Sequence, residues 1–262
     1  MNIRTIHDAG HDIPVVTQDA SDLKVADSHV VVINGFVGGT LAHSFAQRLI
    51  DAGSPRVSTY EEPYVGSGSY ADSYRAEIFD RVVRSIGRQV LVLAHSRGVV
   101  AWADTSARLT DDELVAGFVG VTPIGVSELP HTSRNERYKR LISEVSRPCL
   151  NSWESARMSA RVAGHIIQRF YRPILAFDEV DRTLSVDTTN AMIATSQTIP
   201  TMTITGARDR LIPPPEVAAR LNASTGYWGG HREIPATHLS AFADSRHSGA
   251  IVDAINTLEI QR

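Results

Sequence analysis

A serine, an aspartate and a histidine of this sequence are of the residue types that together break acyl bonds. Ser96 lies in the string AHSRG, and Asp209 and His238 follow it in that order along the chain. A serine hydroxyl is a poor nucleophile at neutral pH unless a base takes its proton and an acid orients that base. The three residue types therefore predict nucleophilic attack on a carbonyl carbon through a covalent acyl intermediate.

The string AHSRG has the composition of a sharp turn between a strand and a helix. An apolar run at 90–93 precedes it, and a helical pattern follows Ser96. Because the turn is tight, the residues two before and two after the serine must be small, and here they are Ala94 and Gly98. This turn is expected to raise the serine hydroxyl above the sheet and to aim the amide of Arg97, at a helix N-terminus, toward an oxyanion.

The other two residues also follow predicted strands. An apolar run at 202–205 precedes Asp209, and a short strand predicted at 232–234 precedes His238. In open sheets of parallel strands, reactive groups gather outside the carboxyl ends of the strands. We therefore expect the serine, the aspartate and the histidine to meet at one edge of the sheet.

Buried strands alternate with amphipathic helices along most of the chain. Continuous β-branched runs are typical of strands that are covered on both faces. Strands are predicted at 29–33, 57–60, 90–94, 118–121, 202–205 and 232–234, and helices around 41–50, 78–86, 97–102, 216–221 and 251–258. This alternation predicts an α/β fold, with a mostly parallel central sheet flanked by helices.

The connection after Val121 is too long for a simple crossover. About 80 residues separate it from the next predicted strand, whereas a crossover needs about a dozen. We therefore predict a single domain over residues 1–262, with a segment inserted at 123–198 before the acid-bearing strand. Between 131 and 172 this insertion has nine basic and three acidic residues. Such an excess would attract an anionic substrate or partner, although a charge-rich helix pair is more often a solvated face.

With its triad in the order serine, aspartate, histidine, the chain resembles the α/β-hydrolase superfamily from residue 29 to its end, except for the insertion. The resemblance implies that Ser96 is the nucleophile, His238 the general base and Asp209 the orienting acid. It also implies that the insertion is a helical cap that covers the site and sets specificity.

The string NGFVGG at 34–39 stands where this superfamily keeps its oxyanion loop. By the resemblance, the backbone amides of Phe36 and Arg97 are the two donors that hold the oxyanion. Asn34 departs from the histidine with which the loop usually begins, which puts the supporting hydrogen bonds of the loop in question but not the backbone donor. In the sharp turn around Ser96, which is called the nucleophile elbow in this superfamily, Ala94 is a mild departure from the usual glycine.

The function that the resemblance implies is hydrolysis of a small-molecule carboxylic ester through an acyl-enzyme, without a cofactor or a metal. A thioester is an alternative substrate, and carbon–carbon bond hydrolases and cofactor-free haloperoxidases keep the same three residues. Epoxide hydrolases and dehalogenases of this fold use a carboxylate nucleophile, against which Ser96 argues. The alternative from another class is a catalytically silent binding protein, against which the intact triad argues.

Ten histidines compete for the role of base, and their positions separate them. His231 is predicted to precede the last strand, at the wrong edge of the sheet, and His247 lies near the final helix. His165 lies in the insertion, and His95 is expected to point away from the serine. Only the histidine that follows the end of the last strand is well placed.

Cys149 and the pair of N-terminal histidines are of reactive residue types, but neither is expected to form a functional site. Cys149, the only cysteine, follows a proline in the insertion without a motif around it. His7 and His11 are four residues apart beside two aspartates, but Gly10 breaks any helix that would align them on a metal. A solvated terminal loop is expected there.

Composition sets limits on partners and location. A formal net charge of -3 gives no overall attraction to nucleic acid or to anionic membranes. The single cysteine excludes an intramolecular disulfide. No run reaches the ~18 consecutive apolar residues of a membrane span, and the first residues lack the pattern of a signal peptide. A cytoplasmic protein is therefore expected, with its oligomeric state, including a homo-oligomer, left open.

Overall fold

The computed structural model describes residues 1–8, 11–20, 29–33, 35, 40–54, 56–60, 69–145 and 180–260. Within these ranges, eight strands form one sheet in the order β1-β2-β4-β3-β5-β6-β7-β8. The strands are β1 (Asn2–Asp8), β2 (His11–Asp19), β3 (Val30–Ile33), β4 (Arg56–Tyr60), β5 (Val90–His95), β6 (Val115–Val121), β7 (Thr201–Gly206) and β8 (Gly230–Ile234). The helices are α1 (Thr40–Asp51), α2 (Ser69–Ile86), α3 (Gly98–Asp111), α4 (Arg134–Val145), α5 (Thr189–Thr198), α6 (Pro214–Ala223), α7 (Ser240–Ala243) and α8 (Ser248–Ile260).

The sheet is parallel from β4 to β8, and β2 pairs antiparallel with both β1 and β4. Successive residues of β3 face opposite sides, since Val31 and Ile33 belong to one apolar cluster and Val30 and Val32 to the other. All four are fully buried, as expected of a strand between two helical layers. The predicted mostly parallel sheet flanked by helices is confirmed.

Two layers of helices supply these apolar clusters. Residues of α2, α3, α5 and α6 pack on one face of the sheet, and residues of α1, α7 and α8 pack on the other. Trp102 of α3 stacks on Phe118 of β6, with ring centroids 4.7 Å apart, and donates to Thr195 of α5 at 3.1 Å. With both faces covered, the loops at the carboxyl ends of the strands are the natural place for a reactive site.

The N-terminal segment is a β-hairpin, and the predicted solvated loop is wrong. β1 and β2 pair antiparallel, with His7 opposite Asp12, and His7 Nδ1 lies 2.6 Å from Asp12 Oδ1. Ile13 and Val15 of β2 are buried in the same cluster as α2. Their alternation is a strand signal, whereas the expectation of a loop rested on Gly10, which argues against a helix but not against strands.

The long connection between β6 and β7 is described at both ends. It contains α4, the helical residues 180–185 and α5, and the fully buried Met192 belongs to the apolar cluster on one face of the sheet. Residues 146–179, including Cys149 and His165, lie outside the described residues, so the cap stays a prediction. None of the helices in the described ranges is long and apolar enough to cross a membrane.

Candidate active site

Ser96 occupies the apex of a sharp turn between β5 and α3. Its backbone φ is 54°, in the left-handed region that residues other than glycine rarely adopt. The amide of Ser96 donates to the carbonyl of Val121 at 3.0 Å, which holds the turn against the end of β6. Backbone strain of this kind persists where the surrounding structure enforces it, and it is concentrated at functional sites.

Gly98 lets α3 begin very close to β3. A Cβ on Gly98 would lie 2.5 Å from the carbonyl oxygen of Ile33, so the backbone must move to accept any side chain. Gly98→Ala is therefore expected to destabilise the protein by about 1–3 kcal/mol, measured by chemical unfolding. The control is Gly249→Ala in α8, where an added Cβ meets nothing within 4 Å; it should be neutral or stabilising by up to about 1 kcal/mol. An equal loss of unfolding free energy in the two variants would mean that the close approach of Gly98 to β3 does not restrict the side chain at this position.

Ser96, His238 and Asp209 form one continuous hydrogen-bonded chain. Ser96 Oγ lies 2.8 Å from His238 Nε2, and His238 Nδ1 lies 2.9 Å from Asp209 Oδ2. The three residues are 5%, 3% and 4% exposed, respectively. When Nδ1 donates to the carboxylate, Nε2 carries the lone pair that can accept the serine proton. The structure thus brings together the three residues that the sequence singled out.

The carboxylate of Asp209 is held on both of its oxygens. One oxygen faces the imidazole of His238, and the other accepts the amide of Ile212 at 2.8 Å. The loop that carries the aspartate is also joined to the loop that carries the histidine, because the amide of Arg208 donates to the carbonyl of Ala236 at 2.9 Å. Asp209 and His238 are therefore fixed relative to each other by backbone as well as by side chains.

The surroundings of His238 raise its pKa above the ordinary value of a histidine. Burial acts to lower the pKa of His238, since it penalises the imidazolium, but this effect is outweighed. The negative charge of Asp209, the hydrogen bond between the two side chains and the negative charge of Glu144 all raise the pKa. The positive form of this imidazole, which a general base acquires during catalysis, is thus stabilised by the site.

The other candidate histidines have different environments. His95 stacks on Phe242 with ring centroids 4.5 Å apart, and burial and the nearby His238 lower the pKa of His95 to about 3. His231 lies inside β8 rather than before it, which corrects the expectation from sequence. Its Nε2 lies 2.9 Å from Thr205 Oγ1. Both side chains therefore have partners unrelated to the serine hydroxyl.

The expected oxyanion donors are described in part. Arg97 follows Ser96 at the N-cap position of α3, where backbone amides favour negative charge. Phe36 lies outside the described residues. Its neighbour Gly35 is described, and a Cβ on Gly35 would lie 3.0 Å from the Cβ of Ser96 and 3.1 Å from His95 Nδ1. The backbone just before Phe36 therefore passes directly against the elbow.

The sequence reasoning missed one charged residue at the site. Glu144, near the C-terminus of α4, is 2% exposed, and its carboxylate accepts the backbone amides of His238 at 2.7 Å and Arg210 at 3.0 Å. No motif marks this glutamate. The available signal is its position three residues after Leu141, which puts a carboxylate on the inward face of an amphipathic helix.

The chemistry that this arrangement can perform is nucleophilic attack followed by proton transfer, with a hydroxyl, an imidazole and a carboxylate as the reacting groups. Among the described residues, no group of three or more histidine, cysteine, aspartate or glutamate side chains is placed to hold a metal ion. The buried position of the three groups strengthens each electrostatic interaction between them, because little water screens the charges.

No protein-family model matches the sequence, and no curated protein matches it. In fold, 1056 chains of solved structures match, so the fold is widespread. An esterase from Thermogutta terrifontis is 17% identical with a TM-score of 0.58, over 98% of this chain and 99% of that chain. A deformylase of N-formylmaleamic acid from Pseudomonas putida is 14% identical with a TM-score of 0.65, over 97% and 100%. The thioesterase domain of the curacin biosynthetic pathway is 14% identical with a TM-score of 0.61, over 96% and 99%.

Proposed function

We propose that this chain, which has the α/β-hydrolase fold, is a serine hydrolase that cleaves a small-molecule carboxylic ester through an acyl-enzyme. One observation carries the proposal: Ser96 Oγ, the His238 imidazole and the Asp209 carboxylate are joined by hydrogen bonds of 2.8 and 2.9 Å. The strained turn that presents the serine supports it, since backbone strain is retained where a function requires it.

In the proposed first half-reaction, His238 Nε2 takes the proton of Ser96 as Oγ attacks the carbonyl carbon of the ester. The amides of Arg97 and Phe36 are proposed to hold the oxyanion, and the carboxylate of Asp209 stabilises the imidazolium. His238 then gives the proton to the departing alcohol, which leaves the acyl group on Oγ. No cofactor is needed for these steps.

In the proposed second half-reaction, water replaces the alcohol. His238 accepts a proton from the water as its oxygen attacks the acyl carbon, and the same amides hold the second oxyanion. The proton then returns to Ser96 Oγ, which releases the carboxylic acid and restores the free enzyme. The same hydrogen-bonded chain therefore serves both half-reactions.

The ion pairs of α4 reduce the support for a highly charged thioester carrier. The excess of basic residues at 131–172 would attract an anionic carrier if their charges were free. However, Arg140 pairs with Glu216 at 2.9 Å and Arg137 pairs with Asp181 at 2.8 Å, and both acids lie outside that range. These ion pairs neutralise part of the excess, so the described part of the insertion gives little support to an anionic substrate.

Reaction with a fluorophosphonate tests the proposed function. The probe is expected to label the protein on Ser96, located by mass spectrometry of the labelled peptide, because the probe needs an activated serine. The unlabelled protein would then be assayed with p-nitrophenyl esters of increasing chain length, with acyl thioesters and with N-formyl amides as substrates. Absence of label on Ser96 would overturn the proposal, and turnover of thioesters or amides alone would replace the ester as substrate.

A further inference from the structure

Glu144 contacts the loops of both the acid and the base with a single carboxylate. One oxygen accepts the backbone amide of His238 at 2.7 Å, and the other accepts the backbone amide of Arg210, the residue after Asp209, at 3.0 Å. Both amides are contacted at normal hydrogen-bond lengths. The side chain therefore bridges the loop that carries His238 and the loop that carries Asp209.

The environment of Glu144 disfavours the charged form of its carboxylate. Burial raises the pKa of Glu144, and the nearby charge of Asp209 raises it further, whereas the charge of His238 and the two backbone hydrogen bonds lower it. A buried carboxylate is costly unless it is paired and hydrogen-bonded, and this one also lies near a second carboxylate. A simple packing role would be better served by an apolar side chain of similar size.

We propose that Glu144 is a positioning residue, which holds the base and acid loops together and places a second negative charge beside the imidazole of His238. The role rests on the proposed function, in which His238 becomes positively charged during each proton transfer. Because Glu144 acts through His238 and through backbone amides, it need not touch the substrate. The charge of Glu144 matters most when the imidazole is protonated, so its effect falls on the transition state.

The placement of α4 supports this role. Arg140 of α4 pairs with Glu216 of α6, and Arg210 Nη1 donates to Ser143 Oγ at 3.1 Å. These contacts fix the end of the helix over the acid loop independently of Glu144. The carboxylate is thus presented by a helix that is already anchored, which is the requirement for a residue that positions others.

Among the described residues, few titratable groups act on His238. Asp209 and Glu144 raise its pKa, and His95, with its ring centroid 5.6 Å from that of His238, is neutral because burial and His238 lower its pKa to about 3. Removing the charge of Glu144 should therefore move the titration of His238 to lower pH. Removal of a purely structural contact would leave that titration in place.

Glu144→Gln tests the inference, with Glu136→Gln as the matched control. Glutamine has nearly the same shape but no charge, and its amide nitrogen cannot accept the second backbone hydrogen bond. Glu136 lies on the same helix, with its side chain 40% exposed and paired to Arg140. In NMR titrations of ¹³C-histidine-labelled protein, the His238 signal, assigned as the one absent from His238→Ala, is expected to titrate at lower pH in Glu144→Gln and unchanged in Glu136→Gln.

Kinetics supply the second readout. In Glu144→Gln, kcat on the preferred ester is expected to fall by about 10- to 100-fold, as for loss of a hydrogen bond to a charged group, with KM nearly unchanged. The acid limb of kcat/KM should move to lower pH together with the NMR titration. Glu144→Asp, which keeps the charge but is shorter, should return the titration toward that of the wild type.

The outcomes separate this inference from the proposed function. An unchanged His238 titration in Glu144→Gln, or an equal change in Glu136→Gln, overturns the positioning role whatever the activity. A wild-type protein that is not labelled by the fluorophosphonate overturns the proposed function, whereas the NMR titration, which needs no substrate, still decides the role of Glu144. If Glu144→Gln does not fold, the same comparison is made between Glu144→Asp and the wild type: a His238 titration displaced to lower pH, by less than expected for glutamine, supports the role, and an unchanged titration overturns it.

Discussion

Replacement of Ser96 or His238 by alanine is expected to lower kcat by on the order of 10⁶-fold, and the double variant is expected to lower it no further. The reason is that Ser96 Oγ and His238 Nε2, 2.8 Å apart, act in one step: without the base the hydroxyl keeps its proton, and without the hydroxyl the base has no proton to take. Both losses would be measured as kcat on the ester that the wild-type protein prefers.

The matched control for this prediction is His231→Ala. His231 lies on β8, the strand that precedes His238, and its Nε2 is 2.9 Å from Thr205 Oγ1, so its loss should leave kcat within a few-fold of the wild type. Equal losses in His238→Ala and His231→Ala would mean that the base has been wrongly chosen. Losses that multiply in the double variant of Ser96 and His238 would mean that the two residues do not act as a unit.

The strands that hold the nucleophile were predictable because their sequences allow few alternatives. β5 was predicted at 90–94 and is Val90–His95, since a short continuous apolar run between two helical patterns is typical of a strand buried on both faces. The turn at Ser96 follows from the small residues Ala94 and Gly98. For such elements, local pattern and tertiary position agree, so the proposed nucleophile Ser96 could be placed from sequence.

The positions of Asp209 and His238, the proposed acid and base, were predictable from order along the chain rather than from local pattern. Asp209 and His238 each follow a strand that runs parallel to β5, so both reach the same edge of the sheet. Neither loop has a motif as specific as the elbow. The prediction therefore depended on the three residues being considered together.

Glu144 could not be predicted because its role exists only in three dimensions. Its partners are backbone amides that lie 66 and 94 residues further along the chain. Because almost every residue has a backbone amide, the sequence does not show which of them a side chain will bind. The hairpin of β1 and β2 was missed for a related reason, since its burial depends on the packing of Ile13 and Val15 beneath α2. Contacts of this kind are set by tertiary structure, which overrides local signals.

Asp209→Asn is expected to lower kcat by on the order of 10⁴-fold while leaving the fold intact. The carboxylate accepts a hydrogen bond from His238 Nδ1 at 2.9 Å, which leaves the lone pair on Nε2, facing the serine. An asparagine that turns its amide nitrogen to the ring favours the opposite tautomer, with the proton on Nε2, where it blocks transfer from Ser96. The variant also loses a charge that raises the pKa of His238, so its remaining activity should persist to lower pH.

Asp244→Asn separates this effect from the loss of any buried carboxylate. Asp244 is 3% exposed and pairs with Arg246, so its replacement removes a comparable group outside the triad. We expect Asp244→Asn to lower the free energy of unfolding while kcat stays within a few-fold of the wild type. The ¹⁵N shifts of His238 should reveal the changed tautomer in Asp209→Asn alone. If kcat of Asp209→Asn stays within about tenfold of the wild type, the carboxylate is not orienting the base, and the hydrogen-bonded chain would have to be explained as structural.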